Sequence, residues 1–427
     1  MLETNPMRGN RKQSIHSHYD NVSNKSADDE SIQPALVSPS WILYLLRASV
    51  GVAMIGLGII WPLVPVYAVD LGAGGFQVGL IIASFNLARV FSNPFAGRLS
   101  DRWGRKPFIV AGLVLYALIS LLYVLANGIG SLILVRMLHG LTSVLVVPVA
   151  MALAADIAPK KQLGLYLGTL NMAVMLGLGV GPVLGGTIRD FFGMNAAFYS
   201  MGILALFTLV GVALLLPGGQ RETRSQRAQP IASFSTLMRH KIVQGLFLVR
   251  FFTASGQGCV YTFLPILALQ IQLSSSQVGV ILGVNIFLIA SLQRLCGRAA
   301  DRLNPLHLII TGTFISGLAV LGMPFVEGFP MILFLNMLMG MGNGIAMPGG
   351  LVLTGHLGKT VGTGTAMGIT DSGWSLGMIV SPIMSGIIMD SLGVSSIFFV
   401  GGILIITGTV LIYFFLKGYD PLDHPSD

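Results

Sequence analysis

Cysteine, charge and metal-binding clusters are what this sequence has least of. Two cysteines in 427 residues exclude a disulfide framework, and both Cys259 and Cys296 fall inside apolar runs. Asp, Glu, Lys and Arg make up only 10% of the chain, where soluble domains carry about 25%. So little polar surface cannot cover a water-facing globule, so lipid must be the solvent for most of the chain. Residues 1–38 are polar and mixed in charge and lack the apolar core of a cleavable leader. His139 and His356 have no further ligands at helical spacing, so no metal site is expected. No nucleophile–base set stands at membrane depth either, which argues against an embedded enzyme.

What the chain does have is apolar length. Hydrophobic residues account for 53% of it, and the mean hydropathy is +0.79. From Trp41 onward, apolar runs follow one another with short interruptions. At about 20 residues per crossing, helices are expected near 41–68, 76–97, 107–126, 131–154, 162–188 and 195–216. Six more are expected near 241–268, 276–297, 307–326, 330–356, 362–388 and 395–417. Between the two sets lies a polar, arginine-rich stretch without apolar periodicity. The expected organisation is a disordered tail (1–40), a six-helix bundle (41–216), a linker (217–240), a second bundle (241–417) and a short tail (418–427).

Orientation follows from the placement of Lys and Arg. One set of loops holds Arg98, Arg102, Arg105, Lys106, Lys160, Lys161, the linker arginines, Arg298, Arg302 and Lys359. The opposite set holds Asp70, Arg189, Asp190, Glu327 and Asp390. The basic side is therefore expected to be cytoplasmic, with both termini on it. The same asymmetry accounts for the net charge of +8 without a nucleic-acid partner.

The chain is built from two copies of one unit. Gly97-Arg98-Leu99-Ser100-Asp101-Arg102 returns 200 positions later as Gly297-Arg298-Ala299-Ala300-Asp301-Arg302. The offset also matches Pro65 with Pro265, Gln77-Val78-Gly79 with Gln277-Val278-Gly279, and Gly140 and Pro148 with Gly340 and Pro348. Pro182, Gly186, Asp190 and Gly193 match Pro382, Gly386, Asp390 and Gly393. Chance alignment of glycine-rich helices would not keep one register across four of them. Two parallel six-helix repeats about a midplane site is the layout of a secondary transporter.

These residues resemble the major facilitator superfamily. Gly97 to Pro107, GRLSDRWGRKP, is similar to that family's loop between helices 2 and 3, with Trp103 where Phe or Tyr is usual. Gly177 to Gly186, GLGVGPVLGG, looks like the helix-5 motif of its drug–proton antiporters. Arg136-Met137-Leu138-His139-Gly140 looks like the helix-4 basic motif, with His139 replacing Gln. The resemblance implies an all-α membrane protein: twelve transmembrane helices in two pseudo-symmetric six-helix bundles. It also implies that Gly97, Asp101, Arg102, Gly104, Arg105, Asp156, Asp301 and Arg302 form a gating latch closing the outward-facing state. Gly177, Gly181, Pro182, Gly185 and Gly186 become a hinge or seal, although four-residue spacing of small residues shows by itself only close packing.

Asp371 is the acid most suited to proton coupling. It lies well inside helix 11, and its repeat mate is the neutral Asn171. A carboxylate at bilayer depth costs on the order of 2.5–3.5 kcal/mol and is usually functional. The stretch from Asp371 to Pro382 also resembles helix 11 of vesicular amine transporters, whose acid there couples protons. Arg136 is the cation expected to tune it, the other reading being a structural ion pair with an arginine of helix 4 or 7. Polar groups at helical spacing must look inward, because lipid offers no hydrogen bonds. Trp61, Asn86, Arg89, Asn171, Arg250, Gln257, Tyr261, Asn336, Asn343, Met347 and Trp374 are therefore the expected cavity lining, with Arg89 equally suited to snorkelling. Where vesicular amine carriers have acids in helices 1 and 10, this chain has Ala53 and Asn343, which departs from a dedicated amine carrier.

The expected activity is export of small amphipathic or drug-like molecules by a monomer in the cell membrane. A proton is the coupling ion and no cofactor is needed. The alternative is proton-coupled uptake of a metabolite on the same fold.

Overall fold

A computed structural model describes residues 39–159, 162–217, 238, 241–300 and 302–417. The expected tails and most of the linker lie outside the described residues, as do Lys160, Lys161 and Asp301. Among the described residues, twelve helices are long and apolar enough to cross a membrane. In the first half, α1 runs Pro39–Ile60, breaks at Trp61-Pro62 and continues as Leu63–Asp70. It is followed by α2 (Gly75–Trp103), α3 (Arg105–Leu125), α4 (Ile129–Ile157), α5 (Leu163–Phe192) and α6 (Met194–Leu215). The second half comprises α7 (Lys241–Gln270), α8 (Ser275–Ala300), α9 (Pro305–Gly322), α10 (Phe329–Val361), α11 (Thr363–Leu392) and α12 (Val394–Leu416).

The duplication reappears in the packing. In the first half α1 lies on α5 and α6, and α3 on α4 and α6, while α2 lies on α4. The second half repeats each of these pairs six helices later, as α7 on α11 and α12, α9 on α10 and α12, and α8 on α10. Between the halves, α2 meets α11 and α5 meets α8, which are again equivalent pairs. Their proline-bearing helices α4, α5, α10 and α11 are each assigned as one continuous helix through Pro148, Pro182, Pro348 and Pro382.

The charged stretch at 97–107 is not the loop expected. Helix α2 continues through it to Trp103, and the chain turns only at Gly104, whose φ of +93° suits glycine alone. Across that turn Asp101 and Arg105 pair at 2.5 Å, joining the end of α2 to the start of α3. Gly193, Gly362 and Gly393 turn the chain in the same way between α5 and α6, α10 and α11, and α11 and α12.

Candidate functional site

The halves touch at the end opposite the basic loops. There glycines let backbones meet, because a Cβ at Gly79 would collide with the Pro382 carbonyl and one at Gly279 with the Pro182 carbonyl. A Cβ at Gly75 would stand 2.5 Å from the Gly386 carbonyl, and one at Gly186 would strike that of Ser275. Two aspartates fasten the same end. Asp390, near the end of α11, accepts from the N–H groups of Gly75 (2.6 Å) and Phe76 (2.8 Å), which open α2. Asp190, near the end of α5, accepts from the N–H groups of Ser275 (3.0 Å) and Ser276 (2.7 Å), which open α8, and from the Ser276 hydroxyl. Carboxylates are favoured at helix N-termini by the orphan donors and the helix dipole. The 200-residue recurrence of Asp190 and Asp390 beside glycine turns was visible in the sequence. Their reach across to the other half was not, since no local pattern specifies it.

Toward the basic loops the halves part. Gly97, Gly164, Gly168, Gly297 and Gly368 have open space where a Cβ would be. The stripe of α11 that meets α2 carries Gly386, Pro382 and Met378. Asp371 lies about two turns before Met378 on that stripe, so it looks into the cleft between the bundles. Its side chain is 76% exposed and its Oδ1 lies 3.8 Å from Nη2 of Arg250 on α7. The Arg250 guanidinium in turn sits 4.6 Å above the Trp374 ring. Asp371, Arg250 and Trp374 form the one acid–cation–aromatic group that the described residues place in this cleft.

Arg136 does not tune Asp371 in this structure. Its guanidinium is buried 4.6 Å over the Phe85 ring of α2, and Nη1 donates to the Tyr123 hydroxyl of α3 at 3.4 Å. The Tyr123 hydroxyl also meets Nδ1 of His139 at 3.0 Å. These partners all belong to the first bundle, because α4 turns this face toward α2 and α3 rather than toward the second half. Asn336 and Asn343 are likewise buried inside the second bundle instead of lining the cleft. The Asn336 carbonyl accepts from Asn285 at 2.7 Å, and Asn343 Oδ1 accepts from Ser316 at 3.3 Å.

Other expected lining residues divide by depth. Trp61 and Tyr261 meet edge to face at 4.9 Å, joining α1 to α7 across the halves, and Tyr261 donates to Asn285 at 3.0 Å. Asn86 reaches the Met378 carbonyl at 3.5 Å, the contact on the α2–α11 line nearest the cleft. Gln257 is buried within α7, Met347 receives Gln293 at 2.7 Å, Asn171 is half-buried and Arg89 is exposed. On the basic face, Arg105 bonds Asp156 at 3.0 Å and Ser100 at 2.7 Å besides Asp101. Among the described residues this network ties α2, α3 and α4 of the first bundle together and does not reach the second. In the helix-5 motif, Gly177, Gly181 and Gly185 pack on α1, while Pro182 and Gly186 face α8. No group of three metal-ligating side chains gathers among the described residues.

Sequence and fold both have known counterparts. The profile of the Major Facilitator Superfamily matches residues 46–249 and 246–427. An uncharacterised transporter of that type from Methanocaldococcus jannaschii is 30% identical over 84% of this chain and 94% of its own length. Multidrug resistance protein 2 of Bacillus subtilis is 26% identical over 86% and 93% respectively. Quinolone resistance protein NorA of Staphylococcus aureus is 28% identical over 44% of this chain and 49% of its own. Among solved structures, a bacterial homologue of the human lysosomal transporter Spinster, inward-facing and occupied, matches at a TM-score of 0.77. It is 12% identical and is aligned over 91% of this chain and 99% of its own. The nucleoside transporter NupG matches at 0.75, with 11% identity and coverage of 88% and 100%.

Proposed function

Since this chain belongs to the major facilitator superfamily and is therefore a multi-pass membrane transporter of small molecules, we propose that it exports amphipathic compounds in exchange for protons. The observation that carries this reading is Asp371, an acid facing the cleft between the bundles with one cation, Arg250, in reach among the described residues. When charged, Asp371 draws Arg250 toward the cleft. Once protonated it lets go, and the guanidinium keeps only its stacking on Trp374. Cargo that lies against Trp374 competes with the arginine for the same ring, which links occupancy of the site to the proton. One proton entering down 100 mV contributes about 2.3 kcal/mol, enough for modest accumulation per cycle.

Placing the basic loops in the cytoplasm makes the cleft open inward and puts both termini on the cytoplasmic side of the cell membrane. The named resistance functions of the Bacillus subtilis and Staphylococcus aureus relatives favour export over uptake. A monomer suffices, because the two bundles of one chain enclose the cleft. Reconstituted vesicles with an imposed pH gradient test the direction. A fluorescent amphipathic dye moving against the proton flux is the expected result. Movement along the proton flux would mean symport, and no response to the gradient would remove proton coupling.

A further inference from the structure

The two outer fastenings share a plan but not a strength. We propose that the outer face opens along the line between α2 and α11, with the line between α5 and α8 serving as its axis. This rests on the proton exchange proposed above and on alternating access, in which the cleft opens to one side and then to the other, but it replaces a symmetric rocking of the halves with a hinge on one side.

Three observations point the same way. The first is the polar fastening. Asp390 holds α2 by two backbone N–H groups alone. Asp190 holds α8 by two N–H groups and the Ser276 hydroxyl, and its neighbour Arg189 adds a donor to the Ser275 hydroxyl at 2.9 Å. Arg189 also lies 3.7 Å from Asp70, so α1, α5 and α8 are tied together. Charge-assisted bonds of this kind are the strong ones. The positions equivalent to Ser275, Ser276, Arg189 and Asp70 are Gly75, Phe76, Met389 and Gln270; only Gln270 is polar, and Met389 offers it no donor.

The second observation is the length of close approach. Both lines begin at the outer end, with Gly386 against Gly75 and Gly186 against Ser275, and continue with glycine against a proline carbonyl. The α5–α8 line continues with Gly283, where a Cβ would stand 2.7 Å from the Gly179 carbonyl. The equivalent residues on the other line are Ala83 and Ile379, so no pair of glycines meets there. There Asn86 reaches the Met378 carbonyl at 3.5 Å. The third observation is where the titratable acid stands. Asp371 is on α11, along the weaker line, and the equivalent residue of α5 is Asn171. The helix that answers the proton is the helix that is less firmly held.

Spin labels at Leu71 and Leu392 report on the α2–α11 line, and labels at the equivalent Ile271 and Phe192 on the α5–α8 line. The full chain is used in lipid nanodiscs, with both native cysteines replaced. Asp390→Asn is expected to raise the outward-open population about tenfold, lengthening the 71–392 distance and leaving 192–271 almost unchanged. Asp190→Asn is expected to do much less, because Arg189 still bridges. Arg189→Met gives α5 the residue that α11 has, and in combination with Asp190→Asn should make the 192–271 distance move as well. A bismaleimide linking cysteines at 71 and 392 should stop transport, whereas one linking 192 and 271 should leave most of it. Equal lengthening of both distances, or equal loss of transport with either link, would overturn the hinge. Failure of the alternating-access reading looks different: neither distance would show a second population in the unmodified protein with any dye or pH. Melting curves of each variant identify any that merely misfold.

Discussion

At the scale of single residues, the coupling group is an acid with a choice of partners. The sequence offered Asp371 plainly, because a lone carboxylate in an apolar helix has few structural uses. It did not offer the partner. Arg136 and Arg250 are both arginines inside helices, and only the rotation of α4 toward α2 and α3 separates them. A double-mutant cycle distinguishes the two directly. Asp371→Asn and Arg250→Gln are expected to be non-additive in gradient-driven transport, with a coupling energy of about 1 kcal/mol or more. Asp371→Asn and Arg136→Gln should combine additively. Coupling between Asp371 and Arg136, with none to Arg250, would return the assignment to the helix-4 arginine.

At the scale of elements, small residues have different meanings along one helix. On α5 a Cβ at Gly181 would stand 2.6 Å from the Gly58 Cα of α1, whereas Gly168 has open space. Gly181→Ala is expected to destabilise by about 1–3 kcal/mol through overpacking, read as a lower unfolding midpoint in detergent. Gly168→Ala should be neutral or stabilising by roughly 0.5–1 kcal/mol, the ordinary helical preference of alanine. Equal effects at both sites would mean that the open cleft is not the resting arrangement. The sequence showed both glycines at four-residue spacing and could not tell them apart, since spacing fixes a face and not its neighbour. The stretch from Gly97 to Trp103 misled for a related reason. Its polar residues suggest a loop, yet α2 stays helical through Trp103 and the chain turns only at Gly104.

At the scale of the whole molecule, the duplication was legible almost entirely. A register of 200 residues kept across several helices predicts equivalent helix pairs, and the packing supplies them. The helix count and the membrane class follow from apolar length alone. What sequence could not provide was which end of the cleft is closed. That depends on contacts between halves, such as Asp390 with Gly75 and Asp190 with Ser275, which lie far apart along the chain. The departures from symmetry, Asp371 against Asn171 and Arg189 against Met389, give a duplicated scaffold its direction.

The most direct test compares two transport modes of Asp371→Asn in the same vesicles. Exchange of labelled for unlabelled dye, with no gradient, needs only a folded protein whose cleft opens to both sides. Accumulation against a dye gradient needs the proton. The substitution is predicted to preserve exchange and abolish accumulation driven by an imposed pH difference. Accumulation at the unsubstituted level would contradict the account, because the proton would then be read elsewhere in the molecule.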